Sequence, residues 1–548
     1  MNIKQTTAAL GEAIVGELRA VLGDDHVLTS ADDLDRYSRC TIPWRSRCTA
    51  VVFPNSAEEV AGVVRIAARH KIELWPSSTG RNWGYGTTLA TDDGAIVMIL
   101  ERMNRIVEVN EELAYAVIEP VVTYEQFNAH LRSKGYKLWI DCTDGSAQGS
   151  VIGNAIERGI GETPYGDHFG NLCGLEVVLA DGELVHVGGA IKGLKTWHTH
   201  KWGVGPYLEG IFTQSNFGIV TQAGIWLMPK PEAYNSFVYE IRDARHLPKV
   251  LDAFRHLALT GVVNTKLHMI NDFVSMTILT QRISENVRQD GPLSDDELDA
   301  LRRKYGISPW NCAGGIYGTR QQVKLQRSLL RQALSPYGRL IFLSDRLVPY
   351  VERLIDWSWK SPLFRRITEL GARTSLLVLE SAPYVHKILQ GIPTEFFVKH
   401  AYYRYRHPRP DADVHPARDR CGLIWFAPIL PFTNADVWPF VDACKERFAA
   451  FGFDFYVAML LMNPRSVICL MAIIYDQDSP DETVQSERLY ESLLALMRES
   501  QFQQYRAGLQ SWGDLFKDAP ELQRLNEKIK TALDPDNILA PGHYGVSR

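Results

Sequence analysis

At 548 residues the chain exceeds one ordinary hydrophobic core, so two or more domains are expected. Apolar residues at 45% and charged residues at 22% are ordinary for a globular protein. A formal net charge of -5 argues against nucleic-acid binding, and no apolar run reaches the roughly 18 residues that a membrane span needs.

Met1 to Asp25 mixes charges with helical apolar spacing at Ile14, Leu18 and Leu22. It lacks a basic start, an apolar stretch and a small-residue cleavage site, so a cytoplasmic location is expected. The eight cysteines include no C-x-x-C pair, which suits a reducing compartment and leads us to expect no metal. Ala50 to Phe53 reads as a strand. Ser56-x-x-Glu59 is a capping box that opens a helix with Val60, Val63, Val64 and Ala67 on one face. Ala95 to Leu100 is a continuous apolar run suited to a buried strand. Arg105 to Val109 and Tyr115 to Glu119 alternate around a polar turn, as a hairpin does, and Thr123-x-x-Gln126 caps a further helix. Leu175 to Leu179 and Glu183 to Val187 flank the turn Asp181-Gly182. Parallel-type and hairpin signals together predict an α+β fold.

Between these elements lies Trp75-Pro-Ser-Ser-Thr-Gly-Arg-Asn-Trp-Gly-Tyr-Gly86, a strand end running into a loop with Gly80, Gly84 and Gly86. Glycine lets a backbone approach a ligand closely, and successive loop amides can then point at an anion such as a pyrophosphate. The spacing matches neither the dinucleotide nor the P-loop fingerprint. A second glycine-bearing loop, Gly149-Ser-Val-Ile-Gly-Asn154, leads into Glu157-Arg-Gly-Ile-Gly-Glu-Thr-Pro-Tyr-Gly-Asp-His168. A third segment, Gly203 to Val220, reads as loop and then strand, and Pro229-Lys-Pro231 makes a break where the first domain is expected to end. Residues 231–490 read as a different unit with longer helices. Within it, Glu285 to Lys304 is expected to be a solvated helix-loop segment, and the proline-bearing Arg406 to Arg420 to run over the surface. The tail closes on Asp534-Pro-Asp-Asn-Ile-Leu-Ala-Pro-Gly542, a helix end followed by a loop.

Taken in order, Gly80-Arg-Asn-Trp-Gly-Tyr-Gly86, Arg102-Met-Asn-Arg-Ile106, Gly153-Asn154, Thr163-Pro-Tyr-Gly-Asp-His168, Gly205-Pro-Tyr-Leu-Glu-Gly-Ile-Phe-Thr-Gln-Ser-Asn-Phe-Gly218, Trp226-Leu-Met-Pro229, Trp425-Phe-Ala-Pro428, Tyr505-Arg506 and Asn537-Ile-Leu-Ala-Pro-Gly542 carry a resemblance. The chain resembles the vanillyl-alcohol oxidase / p-cresol methylhydroxylase family of flavoproteins along nearly its whole length. The resemblance implies a two-part FAD-binding domain, residues 1–230 and 491–548, with an inserted α+β cap or substrate domain at 231–490. It implies that FAD is held by Ser78, Thr79, Gly80, Arg81, Asn82, Gly84, Gly86, Gly149, Ser150, Gly153, Asn154 and Ile219.

It further implies oxidation of para-substituted phenols by hydride transfer to flavin N5 through a p-quinone methide. Tyr85, Tyr505 and Arg506 stand where the family binds the phenol as phenolate. A phenol ionises near pH 10 in water, so an always-charged arginine and two hydroxyl donors suit that task. The resemblance implies O2 or an electron carrier such as cytochrome c as acceptor, and a homo-dimer. A non-catalytic flavin or aromatic-ligand binder, or a carbohydrate oxidase of the broader fold, would not need the Tyr/Tyr/Arg set.

The chain also departs from the pattern. Glu162 stands where oxidases of the family carry a tyrosine, and reads as an acid-base group, a substrate selector or a solvated carboxylate. Asp141 and Asp144 are the acids available near the flavin, His168 is either structural or part of the site, and His543 replaces a common Arg or Lys. Leu423 stands where a flavin-linking histidine is expected. Tyr402, Tyr403, Tyr405, His407, His415 and Cys421 remain as candidates for covalent FAD attachment, and dissociable FAD is the alternative.

Overall fold

Ser56 Oγ accepts the Glu59 amide and opens the helix Ala57–His70 in the computed structural model, which describes residues 11–189, 192–353 and 376–547. The Glu59 carboxylate takes the Asn55 amide instead of that of Ser56, so the reciprocal half of the capping box shifts by one residue. Val60, Val63, Val64 and Ala67 are all buried, against Ile96 and Met98 among others. The strand Ile96–Ile99 runs parallel between Ala50–Val52 and Leu74–Ser77, with Val27–Leu28 at the outer edge of this four-stranded sheet. Neighbours on both sides explain its unbroken apolar sequence.

Both hairpins form within one antiparallel sheet. Its order is Ile106–Asn110, Tyr115–Ile118, Ile219–Trp226, Leu172–Val178, Leu184–Val187. Gly182 turns the second hairpin at φ +79°, a conformation that glycine adopts without a Cβ penalty. The second glycine segment is not a loop throughout. Ser150 Oγ accepts the Gly153 amide and starts a short helix, Val151–Ile156.

Among the described residues, nine further strands between residues 233 and 504 form a third, larger sheet. Ala233–Ile241 lies between Trp310–Gly318 and Arg339–Leu343, and the sheet continues through His268–Asn271, Ala458–Asn463, Ser466–Asp476 and Pro428–Pro431. Gln503–Gln504 closes the far edge by pairing with Pro428 and Ile429, which delivers Tyr505 and Arg506 to the rim of the sheet. The chain then returns to the first half: Leu509 N–H donates to the Tyr85 carbonyl, and Leu539 bridges Leu74. Parallel and antiparallel sheets with separately packed helices make the fold α+β. The segment from Glu285 is more anchored than its polarity implies, since the Glu285 carboxylate accepts from Thr280, Lys304 and Tyr305. Most of 406–420 is surface-exposed, as expected.

Candidate active site

A cavity of about 360 Å³ opens where the first sheet, the helix Val151–Ile156 and the third sheet meet. Of the residues expected to hold the cofactor, Ser78, Thr79, Gly80, Arg81, Asn82, Gly86, Gly149, Ser150, Gly153, Asn154 and Ile219 line it. Gly84 does not. Its amide donates to Thr41 Oγ1 at 2.7 Å, its carbonyl accepts the Trp425 amide, and a Cβ there would run into the Trp425 ring. Gly84 therefore serves close packing between the two halves of the chain.

The loop after Leu74–Ser77 is built for an anion. Among the described residues, the amides of Ser78, Thr79, Gly80, Arg81 and Asn82 have no hydrogen-bond acceptor in the protein, and Gly80 turns at φ +64°. Consecutive unpaired amides beside a cavity match the oxygens of a pyrophosphate. Across the cavity, a Cβ at Gly153 would come 2.6 Å from Ser78 Oγ, so glycine is needed where strand end and helix converge. The donor set fits FAD.

Tyr85, Tyr505 and Arg506 come together at one end. The Arg506 guanidinium stacks 4.7 Å from the Tyr85 ring centre, and its Nη2 donates to Asn82 Oδ1 at 2.9 Å. Sequence reasoning assigned no role to Glu157, whose Oε2 lies 3.3 Å from Arg506 Nη2 and accepts the Tyr544 hydroxyl at 2.7 Å. Burial works against the Arg506 charge, yet Glu157 together with Tyr544, Tyr85 and Tyr505 outweighs it and holds the group cationic. Burial likewise pushes both the Tyr85 and Tyr505 phenols up, with Arg506 pulling the other way. Both tyrosines thus stay neutral hydrogen-bond donors. Tyr505 donates to the Arg158 carbonyl at 2.7 Å.

Glu162 is buried and lines the cavity, which removes the solvated-carboxylate alternative. Its Oε2 is 2.6 Å from His268 Nε2, out of line for a well-formed hydrogen bond. Asp144 joins them, and the three offer ligand atoms within 4.8 Å of one another. Of the two candidate acids, Asp144 lines the cavity and Asp141 does not. Asp141 instead pairs with His168 at 3.0 Å and accepts the amides of Glu162 and Thr163, while His168 Nδ1 meets Asn154 Oδ1 at 2.6 Å. His168 therefore positions the segment that carries Glu162. His543, expected as a variant basic residue, is a cavity-wall histidine held by the Ser215 carbonyl, and burial lowers its pKa.

The structure does not bring the expected attachment residues to this cavity. Tyr402 and Tyr403 are fully buried, with the Tyr402 hydroxyl bound to Asp419, and neither they nor Tyr405, His407, His415 or Cys421 line it. His400 does line it, one turn earlier in the chain, packed on Trp425 and Tyr456. A lone histidine in a mixed segment carries no signal in sequence.

A family model described as an FAD binding domain matches residues 48–188. The chain is 36% identical to a 1'-carboxy-chondrochloren decarboxylase of Chondromyces crocatus, over 97% of both chains. It is 29% identical to the flavoprotein subunit of a 4-cresol dehydrogenase [hydroxylating] of Pseudomonas putida, over 97% of this chain and 95% of the other. Its fold superposes on a 4-ethylphenol oxidase from Gulosibacter chungangensis in complex with isoeugenol, with a TM-score of 0.86, 27% identity and 98% coverage of both chains. The chain belongs to the vanillyl-alcohol oxidase / p-cresol methylhydroxylase family. It is an FAD-dependent oxidoreductase of that family. Among the described residues, no helix is long and apolar enough to cross a membrane.

Proposed function

We propose that the protein oxidises a para-substituted phenol at its benzylic carbon, with O2 as the acceptor. The observation that carries this reading is the Arg506 guanidinium stacked over Tyr85, with Tyr505 beside it on the cavity wall. An aromatic hydroxyl entering there meets one permanent cation and two neutral phenols. In a site largely shielded from water these lower its pKa and hold it as phenolate. The phenolate pushes electron density through the ring to the para carbon and weakens the benzylic C–H bond toward loss as hydride. FAD, when bound, supplies the two-electron acceptor. The protein's part is to fix the ring and keep it ionised. Within this reading residues 1–230 and 491–548 hold FAD, and 231–490 cover the substrate.

Oxygen is preferred on the likeness to a 4-ethylphenol oxidase. A carrier-linked dehydrogenase is the second reading, favoured by the likeness to a dehydrogenase flavoprotein subunit. A panel of 4-alkylphenols, 4-hydroxybenzyl alcohols and carboxyl-bearing 4-alkylphenols, mixed anaerobically with the yellow protein, decides the substrate. Bleaching by the first two groups is expected. Bleaching by the carboxyl-bearing phenols alone would replace benzylic oxidation by oxidative decarboxylation. Oxygen, once admitted, should restore the colour within seconds. Recovery over many minutes, against immediate recovery with cytochrome c, would install the dehydrogenase reading.

A further inference from the structure

Glu162 is fixed from both sides. Its amide donates to Asp141 Oδ1 at 3.1 Å, and its carbonyl accepts Thr265 Oγ1 at 2.7 Å, so its carboxylate has little freedom to leave the cavity wall. His268 enters from the other half of the chain. It stands opposite Leu460 in the third sheet, and Leu460 packs with Ile160 and Tyr505. The pair therefore lies next to the phenol-binding end of the cavity, and the charged neighbours around it are Asp144, Asp141 with its His168, and Lys266. Burial raises the Glu162 pKa against the pull of His268. Burial opposes the His268 charge, but Glu162 outweighs it and raises that pKa too. Such a pair can hold or pass one proton without changing its total charge by more than a unit.

We propose that Glu162 and His268 form the proton-accepting dyad that activates water at the para side chain of the substrate. The inference rests on the phenol-oxidase reading. Once hydride loss has left a neutral p-quinone methide, a water oxygen bonds to the benzylic carbon. The water O–H bond breaks, and its proton goes to the Glu162 carboxylate and is shared with His268. The electron pair of the exocyclic C=C bond returns to the ring, which becomes a phenolate again at Tyr85, Tyr505 and Arg506. The product is a benzylic alcohol. Where no base activates water, a quinone methide with a β-hydrogen loses that proton instead and gives a vinylphenol.

The test is product partition with 4-ethylphenol in Glu162→Gln, which is isosteric, and His268→Gln, which keeps polarity and comes close in volume. In both variants the ratio of alcohol to vinylphenol should fall at least tenfold, and as a ratio it does not depend on how fast the flavin bleaches. An unchanged ratio in either variant that retains FAD overturns the dyad. Failure of the parent itself to be bleached by any phenol overturns the phenol-oxidase reading and is seen separately. EDTA should leave the parent's ratio unchanged; a shift would assign Asp144, Glu162 and His268 to a metal ion and overturn the proposal. Independently of turnover, the 15N-labelled imidazole of His268 should titrate at a higher pH in the parent than in Glu162→Gln. Coincident titrations would show that the two groups share no proton.

Discussion

In the proposed reaction Arg506 carries the largest share of the chemistry in one side chain, because it is the charged member of the trio. Arg506→Ala leaves a desolvated phenolate without its main partner and leaves Glu157 with Tyr544 as its remaining close donor. The loss should be about 3 kcal/mol, roughly a hundredfold in kcat/KM, with FAD still bound. Steady-state kinetics on the best 4-alkylphenol checks this, and near-normal turnover would remove Arg506 from the site. Tyr505→Phe deletes one hydroxyl and should cost less, about 1–2 kcal/mol. The methyl ether of the same phenol should be neither oxidised nor tightly bound, since it cannot ionise. Tyr85, Tyr505 and Arg506 were readable in sequence because each sits inside a contiguous motif. Glu157 and His268 were not. Each acquires its role from a partner hundreds or about a hundred residues away, through a sheet register and a returning tail that leave no local pattern.

Short elements set the geometry that those side chains use. The helix Val151–Ile156 owes its start to Ser150, whose Oγ also donates to the Pro120 carbonyl at 2.5 Å. N-caps and hairpins were visible in sequence because they are local chemistry: a hydroxyl three residues before its amide, or an Asp-Gly pair between alternating runs. The Gly149–Asn154 segment was harder to read, because six helical residues are too few to show a period. A capping prediction with a pH signature belongs to the helix Asp295–Tyr305. Glu297 accepts the amides of Arg288 and Ser294, which hold its carboxyl down to about 2. Its folded pKa lies below the ordinary carboxylate value, so the stabilisation is present above the unfolded pKa of about 4 and is lost as pH falls toward 2. Glu297→Gln should therefore unfold at a lower temperature than the parent at pH 6, with the gap narrowing only as pH falls below about 4 toward 2. A gap that does not depend on pH would count against the carboxylate as its source.

At the scale of the whole molecule, the last forty residues close back on the first half and complete one wall of the cavity, and one buried lysine ties that closure. Lys530 Nζ donates to Asp534 Oδ2 at 2.6 Å, to the Asn216 carbonyl at 2.7 Å and to the Leu539 carbonyl at 2.7 Å. Asp534 in turn accepts the amides of Ile538 and Leu539. Asn216, Leu539, Ala540 and His543 all line the cavity, so this knot fixes one wall of the cofactor site from two ends of the sequence. Burial lowers the Lys530 pKa, and Asp534 works to restore its charge. Lys530→Met would leave a buried carboxylate without its cation and two carbonyls without donors. Breaking a buried pair on one side costs about 3–5 kcal/mol. Thermal unfolding should shift down, and FAD should escape at a lower temperature than the protein unfolds, because the wall loosens before the sheets separate. Flavin fluorescence and circular dichroism recorded on the same sample distinguish the two events. The double variant Lys530→Met, Asp534→Leu should recover part of the loss, since it removes the stranded charge as well. If the double variant is no more stable than the single one, the carbonyl contacts, and not the ion pair, hold the tail in place.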